Sequence, residues 1–176
     1  MKKFLFPFAL AAVFILSAFT VDNPSDWKLT DGYSIRFKGK RINGFFHVLK
    51  GQITFDENKL SSSSFKMEVD VASITTGNTL KSWNSKRKKW FDAKTFPKIT
   101  FVSERFQKAT KGYVVTGKLK IKDVEKQVSI PFSFSDKTFF GQFIVLRSDY
   151  KVGKMKGFGK LMSDTIRIDF TIPVTK

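Results

Sequence analysis

Phe65-Lys66-Met67-Glu68-Val69-Asp70-Val71, answered further on by Phe96-Pro97-Lys98-Ile99-Thr100-Phe101, is the stretch of this 176-residue chain that decides the fold. Apolar and charged residues alternate through the first run without a break. Successive strand side chains point to opposite faces, so Phe65, Met67, Val69 and Val71 form one wall while Lys66, Glu68 and Asp70 face water. Ser73-Ile74-Thr75-Thr76-Gly77-Asn78 follows, and its Gly and Asn signal a turn. Pro97 opens the second strand, where a missing N–H is tolerated because it falls at the strand's start. Between the two, Leu80, Trp83, Arg87 and Trp90 recur at helical spacing behind Asn78, a good N-cap. The spacing predicts a short helical excursion around 78–93.

Working outward, the same alternation recurs. Ile35 and Phe37 are set against Arg36 and Lys38, and Leu119 and Ile121 against Lys118, Lys120 and Lys122. Ile130, Phe132 and Phe134 alternate with Ser129, Ser133 and Ser135, and Ile166, Ile168, Phe170 and Ile172 with Arg167, Asp169 and Thr171. Eight strands are expected, near 27–38, 44–56, 64–74, 98–106, 113–122, 126–135, 138–148 and 164–175. Turn signals separate them at Asp56-Glu57-Asn58, Lys111-Gly112, Lys122-Asp123 and Ser135-Asp136. Many short strands with one apolar face mean an antiparallel sandwich or barrel, and eight can close into a barrel. Residues 150–163, with Gly153, Gly157 and Gly159 among lysines, read as a flexible basic loop.

The N-terminus has its own layout. Met1-Lys2-Lys3 is a basic cap, and an apolar run from Phe4 to Phe19 follows, broken by Pro7 and Ser17. Ser17, Ala18 and Thr20 close it. This is the pattern of a secretory signal peptide over 1–20, with cleavage after Ala18 or Thr20, leaving a mature domain over 21–176. A membrane anchor is the competing reading, but a spanning helix needs roughly 20 apolar residues. The chain has no cysteine. A disulfide, thiolate chemistry and lipid attachment through an N-terminal Cys are therefore excluded. About 155 residues remain after the leader, enough for one domain with a sizeable core.

Composition argues against an enzyme. The single histidine, His47, lies between Phe46 and Val48 and reads as a strand residue on the wet face. One His without Cys makes a zinc site of the usual N/S kind untenable, and neither a metal nor a cofactor is expected. No motif surrounds any Ser, and Gly153-x-x-x-Gly157-x-Gly159 lacks the strand and Lys-Ser/Thr of a phosphate loop. The formal net charge of +17 raises association rates with acidic partners. Nucleic acid fits the charge but not export. Lys81, Lys86, Arg87, Lys88 and Lys89, interleaved with Trp83 and Trp90, suit peripheral contact with an anionic membrane surface. The bland alternative is a solvated helix face whose two Trp plug one barrel end.

Several stretches together resemble the YceI-like family. Ser73-Ile74-x-Thr76-Gly77-Asn78, Trp90-Phe91-Asp92-Ala93 and Phe96-Pro97-x-Ile99-x-Phe101-x-Ser103 are similar to its central motif. Around them, Trp27 to Phe37, Gly44-Phe45-Phe46 with Gly51-x-Ile53, Gly117-Lys118-Leu119-Lys120-Ile121-Lys122 and Arg147-Ser148-Asp149-Tyr150 resemble further family strands in the same order. The resemblance implies an all-β, eight-stranded, antiparallel, lipocalin-like barrel, periplasmic or secreted, that binds a polyisoprenoid lipid. The chain departs from the pattern at two places. Lys81-Ser82 and Asn84-Ser85 stand where the family usually has Arg-Asp and His-Leu, and Lys38-Gly39-Lys40 stands where the first strand often ends in His. Head-group residues are therefore not carried over.

On the residues alone, Phe37, Phe101, Leu119, Ile121, Ile130, Phe132 and Phe134 read as core. The resemblance implies instead a partly open interior lined by them, where an alkyl chain gains about 0.8 kcal/mol per CH₂ buried. The expected function is a non-enzymatic protein holding a polyisoprenoid or quinone-like lipid. The alternative is a filled barrel acting as an interaction module through its basic surface. Monomer and dimer are both compatible with such a domain.

Overall fold

A computed structural model describes residues 26–153 and 161–176. The leader expected over 1–20, and residues 154–160 of the expected basic loop, lie outside them. The described strands are β1 (Asp26–Leu29), β2 (Ser34–Gly39), β3 (Ile42–Phe46), β4 (Leu49–Thr54), β5 (Ser64–Asp70), β6 (Ile74–Thr75), β7 (Lys98–Lys108), β8 (Tyr113–Ile121), β9 (Val124–Ser135), β10 (Thr138–Leu146) and β11 (Thr165–Thr175). One α-helix, α1 (Thr79–Ser85), lies in the excursion. The strands pair in the order β1-β4-β5-β7-β8-β9-β10-β11, and β11 returns to β1 through Lys28↔Thr175 and Leu29↔Val174. All pairs are antiparallel. The ring is an eight-stranded closed barrel, which the alternation left open against a sandwich and the resemblance implied.

The extra segments come from breaks in the first three strands. β1 and β2 are halves of one strand, parted at residues 30–33, where Gly32 takes a left-handed φ of 90°. β3 and β4 part at His47 and Val48, and β5 and β6 part at a 3₁₀ turn over Val71–Ser73. The breaks lie side by side, and two hydroxyls take up the backbone groups the ladder releases. The Tyr33 hydroxyl donates to His47 O at 3.1 Å and accepts from Leu49 N at 3.2 Å. Ser73 Oγ accepts from His47 N at 3.0 Å and Val48 N at 3.1 Å, and donates to Asp70 O at 2.6 Å. A buried backbone group without a partner is costly, so such a row of breaks survives only where side chains replace the ladder.

The breaks divide the interior. On one side β1, β4 and β5 carry Trp27, Ile53 and Phe65 into a large cluster with Phe55, Phe106, Tyr113, Phe132 and Phe139. On the other, β2, β3 and β6 carry Phe37, Phe46 and Ile74 into a separate cluster with Ile166. Phe55 is 2% exposed and has six aromatic neighbours, with centroids 5.2–6.3 Å away. Most meet it edge to face, the favoured geometry for aromatic quadrupoles. This plug fills one end of the barrel. Tyr113 closes its rim by donating to Glu57 Oε1 at 2.6 Å, and the neighbouring carboxylate pushes the phenol up to about 12.

Tight turns join the later strands. Asp136 and Lys137 both take positive φ between β9 and β10, as a two-residue hairpin requires. The β9–β10 ladder is short. It runs only from Thr138↔Ser135 to Gly141↔Phe132. The next β9 residue, Pro131, has no N–H to offer. A Cβ on Gly141 would lie 2.3 Å from the Phe170 ring and 2.6 Å from Pro131 O, so only glycine fits where the strands separate. Beyond it Tyr150 and Val152 pack with Val124, Val128, Phe143 and Val145 between the diverging strands. The segment carrying Tyr150 is tied down by Ser148, whose N–H and hydroxyl donate to the two oxygens of Asp164 at 2.8 and 2.6 Å.

Two outcomes follow. Tyr33→Phe removes one hydroxyl and orphans two backbone groups, so urea unfolding should show a loss of about 1–3 kcal/mol. A loss under about 0.5 kcal/mol would show that water replaces the hydroxyl. The Ser148 hydrogen bonds hold Asp164 below its ordinary 3.8. A carboxyl with a depressed folded pKa contributes stability that is complete above its unfolded value and is lost as pH falls through the folded one. The urea midpoint of the wild type should therefore drop more steeply below about pH 4 than that of Asp164→Asn. Parallel curves would remove Asp164 from the acid response.

Candidate functional site

The half of the barrel away from the plug is hollow. A cavity of about 200 Å³ is walled by Ile35 and Phe37 from β2, Met67 and Val69 from β5, Ile99 and Phe101 from β7, Leu119 and Ile121 from β8, Ile130 and Phe132 from β9, Phe143 and Val145 from β10, and Ile166, Ile168 and Phe170 from β11. Period-two alternation on a closed sheet explains this: the positions that these strands turn into the cavity are apolar. A single water occupies about 10–15 Å³ and needs polar partners, which this wall does not supply, so the space suits hydrocarbon.

Six of the seven residues singled out in the sequence, Phe37, Phe101, Leu119, Ile121, Ile130 and Phe132, line this cavity. Phe134 does not. It points inward like Phe132 but sits deeper, in the plug, with centroids 5.1 Å from Trp27, 5.4 Å from Phe55 and 4.4 Å from Phe139. Phe132 serves both regions, lining the cavity while packing against Phe55, Phe65 and Tyr113. Met67, Val69, Ile168 and Phe170 belong on the wall as well, and the alternation that marks them was available in the sequence. Trp90, Arg147 and Tyr150 also border the cavity, but no strand alternation marks them.

The mouth is bordered by the excursion and by Arg147, Tyr150 and Val152 that follow β10. Asn78 caps α1 by accepting from Lys81 N at 2.9 Å, as expected, but the helix ends at Ser85. The four residues at helical spacing therefore do not share a face. Leu80 and Trp83 stay 65% and 55% exposed, and the Arg87 guanidinium lies 4.3 Å from the Trp83 ring centroid. Only Trp90, in a turn past the helix, borders the cavity. Behind its ring sits Arg147, 4% exposed, with its guanidinium carbon 5.5 Å from the centroid. Arg147 Nε donates to Ser163 O at 2.8 Å and Nη1 to Val152 O at 2.9 Å. Burial lowers the Arg147 pKa and the Asp164 carboxylate opposes the shift. This residue clamps the loops that frame the opening. His47 lies outside, exposed, with Nε2 2.6 Å from Thr75 Oγ1.

A second, polar hollow of about 350 Å³ adjoins the mouth. Ile42, Ser85 and Trp90 form part of both walls. The rest of its lining includes Arg41 and Asn43 from the β2–β3 hairpin, Thr76, and Lys81 and Asn84 from α1.

Known proteins share this architecture. BcnA of Burkholderia cenocepacia superposes with a TM-score of 0.78 at 31% identity, covering 85% of this chain and 100% of that one. A polyisoprenoid binding domain from Saccharophagus degradans, implicated in plant cell wall breakdown, matches at a TM-score of 0.56 and 16% identity over 86% of this chain and 94% of that one, a likeness of fold alone. A UPF0312 protein of Vibrio parahaemolyticus is 28% identical over 185 residues, 99% of this chain and 90% of the relative. One from Photorhabdus laumondii is 29% identical over 98 residues, 55% of this chain but only 51% of that relative's length. A family model described as the YceI-like domain matches residues 27–174, and the chain belongs to that family.

Proposed function

We propose that this chain is an exported binding protein without enzymatic activity that holds one long apolar molecule, a polyisoprenoid or quinone-like lipid, in the barrel. The observation that carries the reading is the hollow half of the interior, whose strand-borne wall is hydrocarbon. Each CH₂ drawn into it from water contributes about 0.8 kcal/mol, so a long chain binds tightly without a polar contact. The polyisoprenoid binding domain of similar fold supports the same ligand class. The basic cap and apolar run over 1–20 act in this reading as a signal peptide, placing a mature 21–176 domain in the periplasm or outside the cell. No helix among the described residues is long and apolar enough to cross a membrane. The rival, a filled barrel acting only through its surface, is disfavoured because the plug occupies one end of the interior and leaves the other hollow.

The excursion supports a further part of the reading, peripheral contact with an anionic membrane. Leu80 and Trp83 stand exposed on α1 beside Lys86, Arg87, Lys88 and Lys89, next to the mouth. Apolar and basic side chains together at one rim suit a headgroup layer, where each Lys or Arg contributes about 1 kcal/mol.

Two measurements test these readings. Met67→Gln places an amide of similar length on the cavity wall. It should leave the unfolding midpoint near wild type and lower uptake of a fluorescent isoprenoid analogue by about tenfold or more, given the cost of burying an unpaired amide. A wild-type protein that takes up no analogue, and carries no lipid-sized mass in native mass spectrometry when purified from its host, would end the carrier reading. For the surface, the combined Lys86→Ser, Arg87→Ser, Lys88→Ser and Lys89→Ser variant should bind anionic vesicles at least about tenfold more weakly, and wild-type binding should fade with salt. Equal binding by both forms would reduce the segment to a solvated face.

A further inference from the structure

The outer face of β10 departs from the rest of the barrel wall. A strand face turned to water is ordinarily polar, and β9 obeys, exposing Glu125, Gln127, Ser129, Ser133 and Ser135. β10 instead exposes Phe140, Ile144 and Leu146, which are 38%, 63% and 40% accessible. Its nine residues, Thr138 to Leu146, carry no charge, whereas each other strand of that length or longer carries at least two charged residues.

The same strand has an open edge. The two-residue turn at Asp136 and Lys137 makes Thr138 and Ser135 a hydrogen-bonded pair, so every second β10 residue turns its N–H and C=O toward β9. Those residues are Phe140, Gln142, Ile144 and Leu146, and the ladder stops at Gly141. Among the described residues, the backbone groups of Gln142, Ile144 and Leu146 on this edge have no strand partner. The segment after β10 does not replace it. Its backbone bonds run within residues 147–152 and to Asp164, and it fills the inner side of the gap with the buried side chains of Tyr150 and Val152. An exposed ion pair, Lys126 Nζ to Asp149 Oδ1 at 2.7 Å, marks the far end of the gap. Unpaired N–H and C=O groups in a row template a further strand, and edges are ordinarily blunted by charge or proline. β9 has Lys126 and Pro131 along the gap; β10 has neither device.

We propose that the free edge of β10 over Gln142–Leu146 receives an extended, uncharged segment of another protein as an added strand. β9 runs along the far side of the gap, so the entrant lies between two strands of one wall. The β10 of a second copy is laced to its own β11 in a closed wall and does not fit there, and two chains of net charge +17 repel. A single extended segment has both edges free. Ladder hydrogen bonds to β10 supply affinity. Side chains alternating between the Tyr150 and Val152 layer and the exposed Ile144 and Leu146 supply a preference for apolar residues.

Fluorescence anisotropy of an end-capped peptide of alternating Val and Thr, carrying an uncharged coumarin, tests it. Wild type should bind the peptide, and the affinity should change little as salt rises, because no charge pair is formed. N-methylation of the peptide backbone keeps the side chains and removes the donors. It should weaken binding about tenfold or more, the size of two or more lost hydrogen bonds. Ile144→Lys should weaken binding of the unmodified peptide about tenfold and leave the melting temperature near wild type, because residue 144 is exposed. Ile144→Pro removes an N–H that faces the gap and spares the β11 ladder, and should act alike. If the proline variant fails to fold, the lysine variant and the methylated peptide still decide. No binding by wild type, equal binding of the methylated peptide, or binding that collapses with salt would each overturn the proposal. So would a wild type that sediments as a dimer, takes up no peptide and becomes monomeric on Ile144→Lys, which would assign the edge to a second copy.

Discussion

The packing of aromatic rings around Phe55 is the interaction on which the rest of the barrel depends. A hollow interior forfeits dispersion contacts along its wall, so a barrel with a cavity needs a dense region elsewhere to remain cooperative. Here the dense region is one end. Six rings meet Phe55, and Trp27 Nε1 donates to its carbonyl at 3.0 Å, fixing the chain just past β4 against the barrel's closing seam. The chain has no cysteine, so no covalent staple shares this task. The floor of the cavity is thus also the centre of stability, and Phe132 and Phe65 belong to both.

The row of strand breaks separates these duties. An unbroken strand carries its twist smoothly from end to end. Parting three adjacent strands at one level lets β2, β3 and β6 follow a different course from β1, β4 and β5, so one end is packed with aromatics and the other kept open. Tyr33 and Ser73 make this tolerable by binding backbone groups that would otherwise be unpaired. Both are ordinary polar residues at turn-like positions, and nothing local distinguishes them from solvent-exposed hydroxyls.

That difference marks what the sequence reveals and what it does not. Inward and outward faces were legible because strand side chains alternate, and this placed Phe37, Leu119 and Ile130 correctly. Depth along the barrel axis was not, since alternation has no term for height; Phe134 has the same local pattern as Phe132 yet lies in the plug. The N-cap at Asn78 was legible, whereas the end of α1 was set by the turns after Ser85, which separate Trp90 from Trp83 despite their helical spacing. The polar hollow was illegible for a further reason. Arg41 and Lys81 belong to segments far apart in sequence, and only β3–β6 pairing brings the hairpin near the excursion.

The shortened ladder between β9 and β10 gives the barrel a property that a fully laced one lacks. Beyond Gly141 the two strands are joined through Val128, Phe143, Tyr150 and Val152 rather than through backbone hydrogen bonds. Apolar contacts are non-directional and re-form after a small displacement, whereas ladder hydrogen bonds are lost when strands move apart. The girth of the hollow half can therefore adjust along this seam while the laced strands keep their register. A container of this kind accommodates tails of differing thickness by side-chain repacking, with its selectivity left to whatever meets the end of the tail at the rim.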